Sequence, residues 1–480
     1  MSTERYDVII VGSGAGGSAA AYRLTQSGKR VLLLEKGDYL PRDGSTLDVK
    51  TVFKEGRFKN QVEWSDGNGE VFVPGEYYNV GGKTKWYGAA LLRMDPHEFE
   101  ADPKFQLRGW PIDYEELLPY YEEAERLLHV NQFDHEPELT SLIAKICKAD
   151  EGWEPQALPL GLKKEILDDP EEAKHFDGFA SACGYKSDAE WNLLTPILAA
   201  STFTLTTNAD VVDLVTDPED PLMVRGVTCR NGQSFVADNV VLAAGAMSTP
   251  RILQRHFIGN EVAATLPSAG NVGAYFKFHI NSALLAFSPF RQHDVLRKTA
   301  IFFNEQFPHS TVQCLGWMDG EMLGSQLPSA VPKFVTRAAG ERAVGFFVTT
   351  EDGSHADNRI RSSGPDGRPT MDYDLDRIPA SAAEHDAVVH AFSHSLLHAK
   401  MVGVDRHMGL AGTAHALGST VAGKQAQNSV VDGSGKVHGM ENLYVADGGI
   451  LPRSSRVNPA LTIYAWGLRL GDHLINGVRR

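Results

Sequence analysis

Four residues near the start of the chain have the types and spacing to hold an anionic dinucleotide. Gly12, Gly14 and Gly17 form a GxGxxG pattern, and Glu35 follows at the end of the next apolar run. In such a pattern the first glycine permits a tight turn and the second lets backbone approach a pyrophosphate. The third lets a helix pack closely on a strand. A carboxylate at the Glu35 position accepts hydrogen bonds from a ribose diol, which argues against a cofactor phosphorylated on that ribose.

The elements around these residues fit that chemistry. Residues 8–11 and 31–34 are continuous apolar runs, as in parallel strands buried on both faces. The small-residue stretch between them reads as a helix to about Ser27 with a turn at Gly28. The pattern alone does not separate NAD from FAD, since both carry the same adenosine diphosphate half. Further along, residues 113–129 have helical spacing, and 203–242 are β-rich with a turn at Asn231 and Gly232. Residues 273–357 suggest an antiparallel sheet with long loops, and helical spacing resumes over 380–401.

With 480 residues, the chain predicts two domains or one with a large insertion. Its 46 basic and 61 acidic residues give a net charge of −15, which raises the cost of approaching nucleic acid or an anionic membrane, so neither is an expected partner. Cys147, Cys183, Cys229 and Cys314 lie far apart, in neither a disulfide framework nor a metal-ligand pattern, so no metal is expected. No apolar run reaches the roughly 18 to 20 residues of a membrane span, and the first residues lead into a strand pattern without a targeting leader. The expected location is the cytoplasm.

Three further stretches carry a resemblance. Residues 240–253 read as a buried strand, a small-residue turn at Gly245 and a helix from about Pro250, where a missing N–H costs nothing. Residues 431–452 lead a strand into Asp447 and Gly448, and residues 457–466 place Asn458 and Pro459 before a closing helix. With the glycine pattern, these resemble the glucose-methanol-choline (GMC) oxidoreductases, FAD enzymes acting on alcohols. The resemblance implies an α/β fold with a Rossmann-like FAD-binding domain formed by residues 1–96, 201–275 and 406–480. A discontinuous α+β substrate-binding domain, built on an antiparallel sheet, would take residues 97–200 and 276–405. It further implies that Gly245, Asp447, Gly448 and Pro459 contact FAD.

The segment 413–420 is similar to the family's histidine-containing segment and makes His415 the expected general base. Oxidising an alcohol requires removing the hydroxyl proton while hydride leaves the same carbon for flavin N5, and histidine suits that proton near neutral pH. Asn458 would orient the same oxygen. The chain departs from the family's common His-Pro-x-Gly-Thr by reading His415, Ala416, Leu417, Gly418, Ser419, which keeps the turn glycine and a hydroxyl. Many relatives use a second histidine where this chain has Asn458. A His/Asn pair is the arrangement of pyranose oxidases and some other alcohol oxidases.

Residues 79–88 resemble the flavin-facing loop of pyranose oxidases, implying cofactor contacts at Gly81, Gly82, Lys85 and Trp86. Lys85 stands where those enzymes carry the histidine bonded to FAD, so non-covalent FAD is expected. In this the chain resembles bacterial pyranose oxidases and C-glycoside 3-oxidases. Gln313 matches a sugar-facing strand and is a candidate substrate contact, whereas His279 is expected to be structural. The expected reaction converts a ring hydroxyl of a pyranoside, a sugar or a C- or O-glycoside, to the ketone at C3, with O2 reoxidising the flavin to give hydrogen peroxide. The alternatives are an FAD-dependent sugar or alcohol dehydrogenase with another electron acceptor, and a redox-inert FAD-binding lyase or binding protein. An NAD dehydrogenase would leave the C-terminal signature without a purpose.

Overall fold

Val31–Leu34 is buried throughout, as are Val8, Ile9, Ile10 and Val11 and, further on, Val240, Val241 and Leu242, so these runs form the parallel heart of a sheet covered on both faces. The computed structural model describes residues 5–326, 332–364, 366–410 and 412–477. The sheet has seven strands. Phe203–Thr206, Val31–Leu34, Arg5–Val11 and Ser234–Leu242 follow one another in parallel, and Leu443–Val445 pairs in parallel with the end of the last. Val224–Cys229 and Val211–Thr216 extend it as an antiparallel meander. All seven strands come from 1–96, 201–275 and 406–480.

Helix Ala15–Gln26 covers this sheet and packs on the C-terminal helix Ala460–Asn476. The approach is close: a Cβ on Gly467 would lie 2.4 Å from the Gly16 carbonyl oxygen. Helices also occupy the other expected regions, at Tyr114–Leu127, Thr249–Gly259 and Pro379–His398.

A six-stranded antiparallel sheet lies beside the first. Its order is Val402–His407, His279–Phe287, Ala343–Glu351, Ser310–Cys314, Ala300–Phe303, Glu154–Ala157. Strand alternation divides its faces. Leu284, Ala286, Phe346 and Val348 pack against Phe392 and Leu396 of helix Pro379–His398, while Ala283, Leu285, Phe287 and Phe347 face a large cavity between the sheets. A small sheet not foreseen from sequence pairs Trp64–Asp66 and Val71–Phe72 with Thr370–Asp372 and Arg359–Arg361, stitching the N-terminal part to the interior. Its strands are two or three residues long, too short for a periodic signal. Among the described residues no helix is long and apolar enough to cross a membrane.

The loop over residues 453–458 connects the two regions through a buried ion pair. Arg453 donates from Nε and Nη2 to the two oxygens of Glu351 at 2.7 and 2.6 Å, with both side chains almost fully buried. Ser455 N donates to Glu351 at 2.8 Å, and Ser455 Oγ and Arg456 N donate to Glu98 at 2.7 and 2.9 Å. Burial alone would raise the Glu351 pKa, but the Arg453 fork, His309 and the Ser455 amide outweigh it and bring it down to about 2. Arg453→Met would strand a buried carboxylate, so we expect a loss of about 3–5 kcal/mol in denaturant unfolding. Arg453→Met/Glu351→Leu should recover part of that loss. The depressed pKa means that the pair's contribution is complete above the usual carboxylate range near 4.3 and is lost as pH falls through about 2. The gap between wild type and Arg453→Met should therefore narrow in acid; a constant gap would contradict this account.

Candidate active site

The cavity between the sheets has a volume of about 1550 Å³. That exceeds the roughly 300–1,000 Å³ of a site for one drug-sized ligand, leaving room for a dinucleotide and a substrate together.

At one end lies the glycine turn. Gly12 has φ of 104°, and a Cβ there would sit 2.4 Å from the Ala243 carbonyl oxygen, so no other residue fits. A Cβ on Gly17 would come within 2.0 Å of the Gly12 carbonyl oxygen, which is how closely the helix packs on the turn. At Gly14 a Cβ would meet nothing within 4 Å, yet the residue lines the cavity; it leaves open the space a phosphate needs. Glu35 also lines the cavity. It accepts from Ser13 N at 3.0 Å, Ser13 Oγ at 2.5 Å and Gly37 N at 2.8 Å, while burial pushes its pKa up. Gly81 N donates to Ser13 Oγ at 3.0 Å, and Gly82, with φ of 56°, sits so that a Cβ would be 3.2 Å from Gly14 Cα. The second loop is thus fastened to the first. Trp86 lines the cavity, stacks on Tyr77 with ring centroids 4.8 Å apart, and donates from Nε1 to Asn79 at 2.9 Å.

Two more turns continue this wall. Asp447 accepts from Gly245 N at 2.9 Å, Thr249 Oγ1 at 2.5 Å and Gly449 N at 2.7 Å, tying the Gly245 turn to the Gly448 turn across adjacent strands. Gly245, Asp447, Gly448 and Pro459 all line the cavity, and Pro459 opens the closing helix. A glycine cradle, a carboxylate beside it and two further turns along one wall suit an elongated dinucleotide such as FAD.

Four predicted residues do not line the cavity: Gly17 and Gly81, which shape the two cofactor loops, and Lys85 and Gln313, which lie elsewhere. Lys85 does not face the cavity as the resemblance implied. Its ammonium pairs with Asp188 at 2.9 Å and Glu190 at 2.6 Å, and the three-ten turn Gly82–Lys85 sends Thr84 and Trp86 to the cavity and Lys85 away. The two carboxylates make burial of that charge tolerable. Gln313 does not line the cavity either; it donates from Nε2 to Asn458 Oδ1 at 2.5 Å.

His415, at the end of the short turn Thr413–His415, and Asn458 are brought together from different segments. His415 Nε2 and Asn458 Nδ2 lie 3.5 Å apart, and both residues border the cavity. Burial, with lesser contributions from His279, Lys298 and Lys83, holds the His415 pKa well below the usual histidine range. Lys298 pairs with Asp177 at 2.9 Å, and both line the cavity. The residue missed from sequence is His279. Its Nδ1 is 2.9 Å from His415 Nδ1, its Nε2 is 2.8 Å from the Ser455 carbonyl oxygen, and burial lowers its pKa to about 4. Nothing in the residues around it signals this contact, which the strand His279–Phe287 makes by delivering it across the fold.

Residues 7–403 match the family model described as FAD dependent oxidoreductase, and residues 354–467 match that of GMC oxidoreductase. The chain is 28% identical to paromamine 6'-oxidase of Streptomyces fradiae, over 97% of this chain and 90% of that protein. It is 26% identical to 6'''-hydroxyparomomycin C oxidase of Streptomyces lividus with the same coverage. Its fold superposes on formate oxidase of Aspergillus oryzae RIB40 with a TM-score of 0.73 at 15% identity, covering 99% of both chains. A dinucleotide cradle leading to a paired imidazole and amide, on a chain matched by both family models, identifies this protein as a member of the GMC family of FAD-dependent oxidoreductases, acting on CH–OH groups.

Proposed function

We propose that the enzyme oxidises a ring hydroxyl of a pyranoside, either a free sugar or a C- or O-glycoside, to the ketone at C3, with O2 as the final electron acceptor and hydrogen peroxide as the second product. One observation carries this reading: His415 Nε2 and Asn458 Nδ2, 3.5 Å apart, offer an acceptor and a donor to one hydroxyl oxygen. Bound FAD supplies the two-electron acceptor. His415 takes the hydroxyl proton at Nε2, and Asn458 holds the oxygen from which it leaves. Lys298, whose charge helps depress the His415 pKa, is held against Asp177 on the cavity wall. Leu285, Phe347 and Trp317 give the cavity apolar walls, while Lys298 and Asp177 add polar groups, a lining suited to a sugar ring with apolar faces and a polar rim.

In this reading FAD is held without a covalent bond by Gly12, Gly14, Gly17, Glu35, Gly81, Gly82, Trp86, Gly245, Asp447, Gly448 and Pro459. Residues 1–96, 201–275 and 406–480 serve the cofactor, and 97–200 and 276–405 the substrate. A second reading follows from the names of the Streptomyces relatives: oxidation at a 6' hydroxyl of an amine-bearing sugar. Lys298 and Lys83 on the cavity wall are each ion-paired with a carboxylate, Asp177 and Glu76, so the charge of this wall favours neither a neutral nor an ammonium-bearing sugar.

Anaerobic titration with glucose, an aromatic C-glucoside and paromamine, followed in the visible flavin band, separates these readings. Bleaching by a neutral sugar, with the new carbonyl at C3 by NMR, is the expected result; bleaching by paromamine alone would overturn it. In air, each ketone should be matched by one hydrogen peroxide. Fast dye reduction with little peroxide would instead indicate a dehydrogenase. His415→Ala should slow flavin reduction by about 10²- to 10⁴-fold, and an undiminished rate would remove His415 from the reaction. Because its pKa is depressed, His415 stays neutral below the usual value of about 6.5, so the acidic limb of kcat/KM should lie below that pH.

A further inference from the structure

We propose that His279 is a positioning residue that locks His415 into the tautomer with its proton on Nδ1, leaving the Nε2 lone pair for the substrate hydroxyl. This rests on reading His415 as the base.

The reasoning runs inward from the backbone. The Ser455 carbonyl oxygen can only accept, so the 2.8 Å contact requires a hydrogen on His279 Nε2. A neutral imidazole protonated there has its lone pair on Nδ1. That lone pair faces His415 Nδ1 at 2.9 Å, so His415 must carry its hydrogen on Nδ1 and its lone pair on Nε2. Nε2 is the nitrogen on the Asn458 side. If His415 flipped to the other tautomer, two lone pairs would oppose each other at 2.9 Å and no base would face the cavity.

The anchor of this chain is held in place. Ser455 has φ of 70°, its N donates to Glu351 and its Oγ to Glu98. His279 itself is buried. The arrangement also serves the charged state: once the substrate O–H bond breaks and His415 gains the proton on Nε2, Nδ1–H keeps its acceptor.

A glutamine in place of His279 can reproduce this polarity, with its amide oxygen accepting from His415 and its NH₂ donating to Ser455. A leucine cannot. The test uses the full-length, FAD-loaded enzyme labelled with ¹⁵N-histidine, with His415 resonances assigned by their loss in His415→Ala. The wild type and His279→Gln should show a pyrrole-like Nδ1 and a pyridine-like Nε2 on His415, while His279→Leu should show the opposite tautomer or an average. In parallel, His279→Leu should slow sugar-driven flavin reduction by more than about tenfold with a smaller change in KM, and His279→Gln should restore most of the rate. A wild-type His415 protonated on Nε2, or one whose tautomer is indifferent to His279→Leu, would overturn the proposal. Should the leucine variant fail to fold, the wild-type and glutamine spectra still decide. Should no sugar reduce the flavin, the tautomer is read all the same, so failure of the substrate assignment is distinct from failure of this one.

Discussion

Everything at the reacting end of the cavity depends on the buried contact between Arg453 and Glu351. Two charges taken out of water are costly unless each is fully engaged. Here the guanidinium meets both carboxylate oxygens and the Glu100 carbonyl, and Glu351 also accepts from the Ser455 amide. The loop from Arg453 to Asn458 is therefore pinned to the end of strand Ala343–Glu351 in the antiparallel sheet. Three residues past Ser455, Asn458 reaches the cavity and Pro459 begins the helix that packs on the dinucleotide helix. The ion pair thus sets the distance between the sheet that encloses the substrate space and the helices that carry the cofactor loops.

The carboxylates of the cofactor wall do a different kind of work. Glu35 and Asp447 are buried, and burial raises both pKa values, but each accepts from backbone N–H groups and a hydroxyl that shape a turn. Their first task is to hold glycine turns in register. At the far end burial, with lesser contributions from His279 and from Lys298 and Lys83, each of which is paired with a carboxylate, holds His415 neutral. A base kept neutral is matched to a reaction in which the substrate oxygen gives up a proton while the carbon that bears it gives up a hydride.

How much of this was legible in the sequence follows from the range of each interaction. Gly12, Gly14, Gly17 and Glu35 act within one strand-turn-helix-strand unit, so pattern and position were enough, and the apolar runs gave the parallel strands. The antiparallel sheet was legible as a region, but the pairing of residues 64–72 with 359–372 was not, because strands of two or three residues carry no period. Lys85 shows the limit of local resemblance: the loop was recognisable, yet which side of a three-ten turn faces the cavity depends on Asp188 and Glu190, over a hundred residues away. His279 lies 136 positions from His415, and the antiparallel bridge between Lys277 and Leu417 joins the two segments that carry them.

The register of the antiparallel sheet joins chemistry to selectivity. His279 begins a strand whose alternate residues Ala283, Leu285 and Phe287 line the substrate side of the cavity, while Leu284 and Ala286 lie in the core behind. Two strands away, Gln313 holds the amide oxygen of Asn458, so its Nδ2 is left to address the cavity. The polarity of the reacting pair is thus set from behind by a sheet whose front face shapes the substrate space. Side chains at Leu285 or Phe287 can change that shape without disturbing His279, because alternation places them on one face but six and eight residues further along the strand. A one-residue slip of the strand would move His279 and the cavity wall together.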